Sequence, residues 1–486
     1  MDLHLVLDPQ QPLVAQLYRQ LREAVLGGRL AGGERLPSTR HLADTLQVSR
    51  KTINEAYEQL LAEGFLESRV GSGTFVSHNV QRAAPRPPME AVLLQPSPRW
   101  QSLPLQMLDL PAPTWRYNFN GGTVDMRLFP VDSWRSCLQH ALRQQARSSG
   151  FYHDTGGYPP LRQAISRYLA VSRAVSCAWE DLLITQGAQQ AVNLLAQVML
   201  EPGSRVAMEE PGYMPARQCF LNAGAEVIGV PVDAEGLRVD LLPEDIRLIY
   251  VTPSHQFPLG MPLSLNRRLQ LLNWARQRNV LIIEDDYDGE YRFEGRPLES
   301  LQNLDRHGLV AYLGTFSKTL YPALRLGYLL MPPGLRGALL QAKQLFDWHS
   351  DSLQQTALAQ FMISGEFSRH TRRMQREYAQ RRTRLLQRLH GDLSPWLRPI
   401  VPMAGIHLAS WMSEEIDTDA LLAKLRKRGV GLTDLRLFYQ HEAACGLLLG
   451  FGCIDLKALD EGLDHLREVL LELAPQCIAD QDRTHP

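Results

Sequence analysis

The 486-residue chain lacks an excess of either charge, with 51 Lys+Arg against 52 Asp+Glu. That balance excludes a globally basic protein built for polyanions, so any nucleic-acid contact has to come from a local patch. Also missing is any C-x-x-C pair among Cys137, Cys177, Cys219, Cys445, Cys453 and Cys477. This speaks against a zinc site and a disulfide framework, and no metal is expected. Long apolar runs are absent too. Among the longest uncharged stretches, Leu182 to Leu200 contains four glutamines, Asn193 and Thr185, and is no membrane span. The opening MDLHLVLDPQQ has acids where a secretory signal needs a basic patch and then an apolar run. These features predict a cytoplasmic protein with no membrane partner.

The length leaves room for about three folding units, and the composition, 44% apolar and 21% charged, is that of an ordinary globular protein. Residues 78–115 are rich in proline and show no sustained period. Proline removes a backbone donor and fixes φ, so this segment predicts a semi-rigid linker. It divides a unit at 1–77 from one at 116–478. The last seven residues, DQDRTHP, are expected to be disordered.

The small unit predicts helix, helix-turn-helix and hairpin. Leu13, Val14, Leu17, Leu21 and Val25 recur at helical spacing. Ser38 suits the cap of a second helix, and a third presents Ile53, Ala56, Tyr57, Leu60 and Leu61 inward. FLESRVGSGTFVS then alternates around a glycine turn. A helix-turn-helix reads DNA with the start of its second helix. Here that end carries Ser49, Arg50, Lys51, Thr52 and Asn54, with Arg35, Ser38, Thr39 and Arg40 placed for phosphates and Arg69, Gly71 and Gly73 at the wing. The unit as a whole is not basic, yet residues 35–51 hold Arg35, Arg40, Arg50 and Lys51 against one acid, Asp44. The stretch from Leu36 to Val76 resembles the GntR-type winged helix, which implies an operator in double-stranded DNA as partner.

In the large unit, apolar runs at Leu183–Thr185, Arg205–Met208, Val227–Val230, Leu248–Thr252, Val280–Ile283 and Val310–Leu313 alternate with amphipathic stretches such as Leu265–Arg278. That pattern predicts a mostly parallel sheet, followed by a smaller α+β lobe. In GTFSKTLYPALRLGY, a lysine beside small hydroxyls with an arginine seven later suits an aldehyde cofactor carrying a phosphate. VLIIEDDYDGEY ends a buried strand in acids, one of which could hold a pyridinium nitrogen protonated.

Together these motifs resemble the fold type I, class I aminotransferases, an α/β fold with large and small lobes whose cofactor is pyridoxal 5'-phosphate. The resemblance implies Lys318 as the Schiff-base lysine, Arg325, Thr315 and Ser317 as phosphate ligands, Asp285 for the pyridine nitrogen and Tyr287 for the ring oxygen. TQGAQQAVNLL implies Gly187, Ala188 and Gln189 at the phosphate, EEPGY implies Tyr213 stacked on the ring, and YHDTGGYPPLR implies Tyr152 reaching the partner subunit of a homodimer. A GntR-type winged helix joined to such a unit is the layout of the MocR-type transcription regulators, which implies DNA binding controlled by a small-molecule effector.

Two departures bear on mechanism. Phe257-Pro258-Leu259-Gly260 replaces N-P-x-G, and Leu448 stands where the carboxylate arginine of R-L-S-F is expected. His255 or Gln256 could replace the lost asparagine, and Arg217 or Arg436 the lost arginine, which makes Arg217, Arg436 and His255 candidate effector contacts. The competing reading is a working aminotransferase with an accessory DNA-binding unit. A run of eight arginines at 369–389 reads as a helix joining lobes, or else as a second DNA contact.

Overall fold

The computed structural model describes residues 5–8, 11–69, 71–80, 95–97, 100–101, 115–294, 299–441 and 443–477. Most of the expected linker, and the final seven residues, lie outside them. The chain divides into two compact units, 1–95 and 96–486.

In the first unit α1 (Leu13–Leu26) buries Leu17, Leu21 and Val25 along one face. The α2 helix (Thr39–Leu46) starts where Ser38 accepts a hydrogen bond from the His41 amide, and α3 (Arg50–Ala62) where Ser49 accepts one from the Thr52 amide. Both hydroxyls satisfy a donor that a helix start otherwise leaves open. Between them Gln47 takes a left-handed φ of 55° and turns the chain. Ile53, Ala56, Tyr57 and Leu60 bury the inner face of α3, as the spacing predicts, while Leu61 is only half-buried. The wing pairs β1 (Leu66–Arg69) with β2 (Gly73–Val76), Arg69 opposite Gly73. Gly73 has φ +113°, and a Cβ there would lie 3.0 Å from Nε of Arg35, so only glycine suits the position.

The second unit is built on eight strands, in the order 182–185, 327–330, 310–315, 281–286, 248–251, 205–210, 226–233 and 236–237. The five from 310–315 to 226–233 run parallel. All six expected runs are strands; five are almost wholly buried, as fits a sheet covered on both faces, while 226–233 near the sheet edge is only partly so. Gly327–Leu330 is an addition: it runs antiparallel between 310–315 and 182–185. A second, four-stranded antiparallel sheet (397–399, 407–412, 446–450, 433–434) forms the smaller lobe with the helices Glu366–His390, Thr418–Lys427 and Leu456–Leu473. Among the described residues no helix is long and apolar enough to cross a membrane.

The arginine run lies on the helix Glu366–His390 and joins elements of this unit. Arg381 is buried against Asp125 at 2.7 Å and the Gly452 carbonyl, Arg382 reaches Glu294 and the Pro402 carbonyl, and Arg384 and Arg388 pair with Asp460. Four of the eight arginines are thus tied to other elements, which favours the connecting role. Arg372, Arg373 and Arg376 remain exposed on the opposite side.

Candidate functional site

At the DNA-facing end of the first unit, Arg50 and Lys51 stand exposed on the first turn of α3, with Arg35 and Arg40 also exposed. Lys51 meets only Glu55, at 3.8 Å, and its side chain is 86% exposed. Such a loose surface pair contributes little and yields readily to a phosphate or base. Ser49 and Thr52 share a 2.7 Å hydroxyl contact that orders the helix start, and Asn54 is half-buried. Arg69 is held within its own hairpin, 2.6 Å from Glu67 and over the Phe75 ring.

The second unit holds a cavity of about 180 Å³ lined by Gly122, Ala188, Gln189, Tyr213, Tyr250, Phe257, Asp285, Tyr287, Asp288, Thr315, Ser317, Lys318, Arg325, Ile406 and His407, among others. Most of the sequence candidates meet here. The helix Ala188–Met199 begins at Gly187, whose φ is +78° and whose Cβ, if present, would sit 3.1 Å from the Arg325 guanidinium. Open backbone N–H groups at a helix start beside an arginine make an anion seat. Thr315 Oγ1 donates to Ser317 Oγ at 3.0 Å on the same side. Gln189 lines the cavity, but its side-chain amide is occupied by the Pro215 carbonyl and Cys219.

Strand alternation sorts the acids after Ile283. Asp286 takes the face away from the cavity, paired with Arg173 and hydrogen-bonded by Tyr312. Asp285 faces in. Tyr250 donates to its Oδ2 at 2.6 Å, while Oδ1 is buried with no partner. Burial pushes this carboxyl up to about 7. A buried carboxylate oxygen left open suits a pyridinium N–H. Lys318 is half-buried at the cavity and donates to the Gly122 carbonyl at 2.7 Å. Burial lowers its pKa, which makes the neutral, nucleophilic amine easier to reach. The residues present therefore fit pyridoxal phosphate at three points: an anion seat, an unsatisfied acid and an amine of lowered pKa.

Some expectations are corrected. Arg217 does not line the cavity: it lies 3.4 Å from Glu210 and donates to the Phe438 carbonyl. Arg436 is taken by Asp434 and Asp419. Each is drawn to nearby carboxylates, which sequence spacing could not reveal. The Gln256 amide is consumed by the Pro211 and Phe257 carbonyls and the Leu259 amide. His255 does approach the site, through Tyr287, whose hydroxyl lies 3.0 Å from its Nδ1, with Asp288 on the same nitrogen. Tyr152 is 74% exposed and stacks on Trp348, outside this chain's cavity. Sequence reasoning missed Tyr250, Gly122 and His407. A tyrosine inside an otherwise apolar buried strand was a usable signal, since its hydroxyl needs a partner. Gly122 carried none. His255, Asp288 and His407 also bring one ligand-type atom each within 4.8 Å of one another, a cluster at the cavity wall.

Residues 13–76 match the bacterial regulatory proteins of the gntR family, and residues 118–445 match aminotransferase class I and II. Fold, site and matches define a DNA-binding transcriptional regulator that carries an aminotransferase-type unit binding pyridoxal 5'-phosphate. The probable rhizopine catabolism regulatory protein MocR of Rhizobium meliloti is 36% identical over 479 residues, covering 96% of this chain and 95% of that protein. The chain belongs to this family of MocR-type regulators. The pyridoxine biosynthesis transcriptional regulator PdxR of Corynebacterium glutamicum is 32% identical over 477 residues, covering 97% of this chain and 98% of that one. Among solved structures, the Pyrococcus horikoshii kynurenine aminotransferase matches with a TM-score of 0.69 at 28% identity, over 77% of this chain and 98% of that one.

Proposed function

We propose that the second unit senses an amine, or the cofactor itself, and passes its occupancy to the winged helix as a change in operator binding. When bound, pyridoxal phosphate supplies an aldehyde that exchanges between amines. Lys318 would hold that aldehyde covalently. Arg325, Thr315, Ser317 and the backbone N–H groups of Gly187, Ala188 and Gln189 would seat the phosphate. Asp285 would hold a proton on the pyridine nitrogen, Tyr287 would bond the ring oxygen, and Tyr213 would cover one face. The protein acts in the cytoplasm as a homodimer, with its winged helix ending near residue 77 and the sensing unit starting near 116. A surface of Phe151, Tyr152, Leu345, Phe346 and Trp348, each at least half exposed, supports the dimer. Exposed apolar clusters of this kind mark protein interfaces.

One observation carries the sensor reading over the enzyme reading. Among the described residues lining the cavity, Arg325 is the sole guanidinium, and it lies at the anion seat. Among the described lining residues of this chain no second guanidinium then clamps a substrate carboxylate to orient a Cα–H bond for transfer, and misplacement by about 1 Å can cost on the order of 100-fold in rate. Footprinting beside the protein's own gene tests the reading: protection should change when the cofactor is removed and return when it is restored. Identical protection in both states would contradict it.

Tyr250 is the positioning residue here. Tyr250→Phe removes a hydrogen bond to Asp285 of the charge-assisted kind, usually about 1.5–3 kcal/mol. The expected result in equilibrium dialysis is cofactor retention weakened by roughly tenfold or more, with Lys318 still able to attach it.

A further inference from the structure

The two ends of the cavity differ in charge. Arg325 belongs to one: it donates to the Gln186 carbonyl and lies against Gly187, at the seat made by the helix start. Phe257 and His407, whose rings meet edge to face at 5.6 Å, line the cavity together with Ile406 and form its other end. His407 is neutral there. Burial drives its pKa well below the usual imidazole value, and the Pro258 carbonyl takes one of its N–H positions. Its Nε2 is buried with no partner. Of the acids lining the cavity, Asp288 stands beside this end, bonded to His255, and Lys318 and Arg325 are the cations among the lining residues. Leu448 fills the ground behind: a Cβ on Gly121, next to the cavity residue Gly122, would meet its Cδ2 at 2.7 Å. A carboxylate carried into this end would lose its water and find an acid and apolar walls.

We infer that the effector is a primary amine whose far end bears no anionic group, an alkyl- or hydroxyalkylamine rather than an amino carboxylate, selected by Phe257, Ile406 and His407. The inference rests on the cofactor reading above and narrows it to a ligand class. A neutral imidazole can bond a ligand hydroxyl, whereas it cannot neutralise a carboxylate.

The test uses the full-length protein loaded with pyridoxal phosphate, after borohydride reduction and peptide mapping have located the cofactor on Lys318. Matched pairs are then titrated while the cofactor absorption is followed: phenethylamine against L-phenylalanine, and ethanolamine against L-serine. Each amine is expected to half-saturate at a concentration at least about tenfold below its amino acid. His407→Phe should weaken ethanolamine several-fold more than it weakens phenethylamine. Amino acids binding as tightly as the amines would overturn the inference. So would loaded protein whose absorption responds to no amine, although attachment at Lys318 would then still stand. Equal loss of both amines in His407→Phe would remove His407 from the selection. Cofactor recovered on another lysine would overturn the underlying reading instead.

Discussion

Lys318→Ala is expected to abolish covalent retention of pyridoxal phosphate: after borohydride reduction, no labelled peptide should remain. Lys318 lines the cavity half-buried, its pKa lowered by desolvation, with the Gly122 carbonyl orienting its amine. Lys343 is the internal control. It is fully buried and its pKa is also lowered, yet its amine is spent on Gln190, Asp347 and Ser350, away from the cavity lining. An amine held by three partners and sealed from the cavity has no open path to an aldehyde. Label found on Lys343, or persisting in the Lys318 variant, would show the wrong amine has been assigned.

Replacing Arg50 and Lys51 together with alanine is expected to weaken operator binding by roughly 30-fold or more, since each good base contact contributes about 1–3 kcal/mol. Both side chains are exposed on the first turn of α3, while the Ser49 cap and the buried Ile53, Ala56 and Tyr57 hold that turn in place. The fold should therefore survive, which circular dichroism would confirm. Discrimination between operator and unrelated DNA should fall as well. Loss of affinity without loss of discrimination would place both residues on phosphates. Binding should weaken steeply with salt in the wild type, with a shallower slope in the variant. Unchanged operator affinity would mean that another face of the unit reads the DNA.

Much of this architecture was legible because its signals are local. Each apolar run between turns became a strand, and Leu265–Arg278 is a helix with those bounds, capped by Ser264. The two halves of the anion seat were each visible as local motifs, a glycine before a helix and an arginine after a hydroxyl-lysine pair, although Gly187 and Arg325 meet only in the fold. The strand Gly327–Leu330 was hidden inside the lysine motif, where its apolar residues read as part of the cofactor segment. What could not be read depends on distant pairings. The Lys318–Gly122 contact spans 196 positions, and Asp285 receives Tyr250 from a neighbouring strand. Arg217 and Arg436 looked available because an arginine's partner is invisible until the chain folds. Glu210 and Phe438 occupy the first, Asp434 and Asp419 the second.

We propose that the aminotransferase-type unit serves here as a sensor and not as an enzyme. Rapid mixing of the cofactor-loaded protein with saturating amines and amino acids, followed by product analysis, tests it most directly. The expected result is a change in cofactor absorption with the added amine recovered intact and no carbonyl product above background. Carbonyl product formed at about 1 per second or faster, within the usual range for enzymes, would contradict the claim and identify the protein as a working aminotransferase.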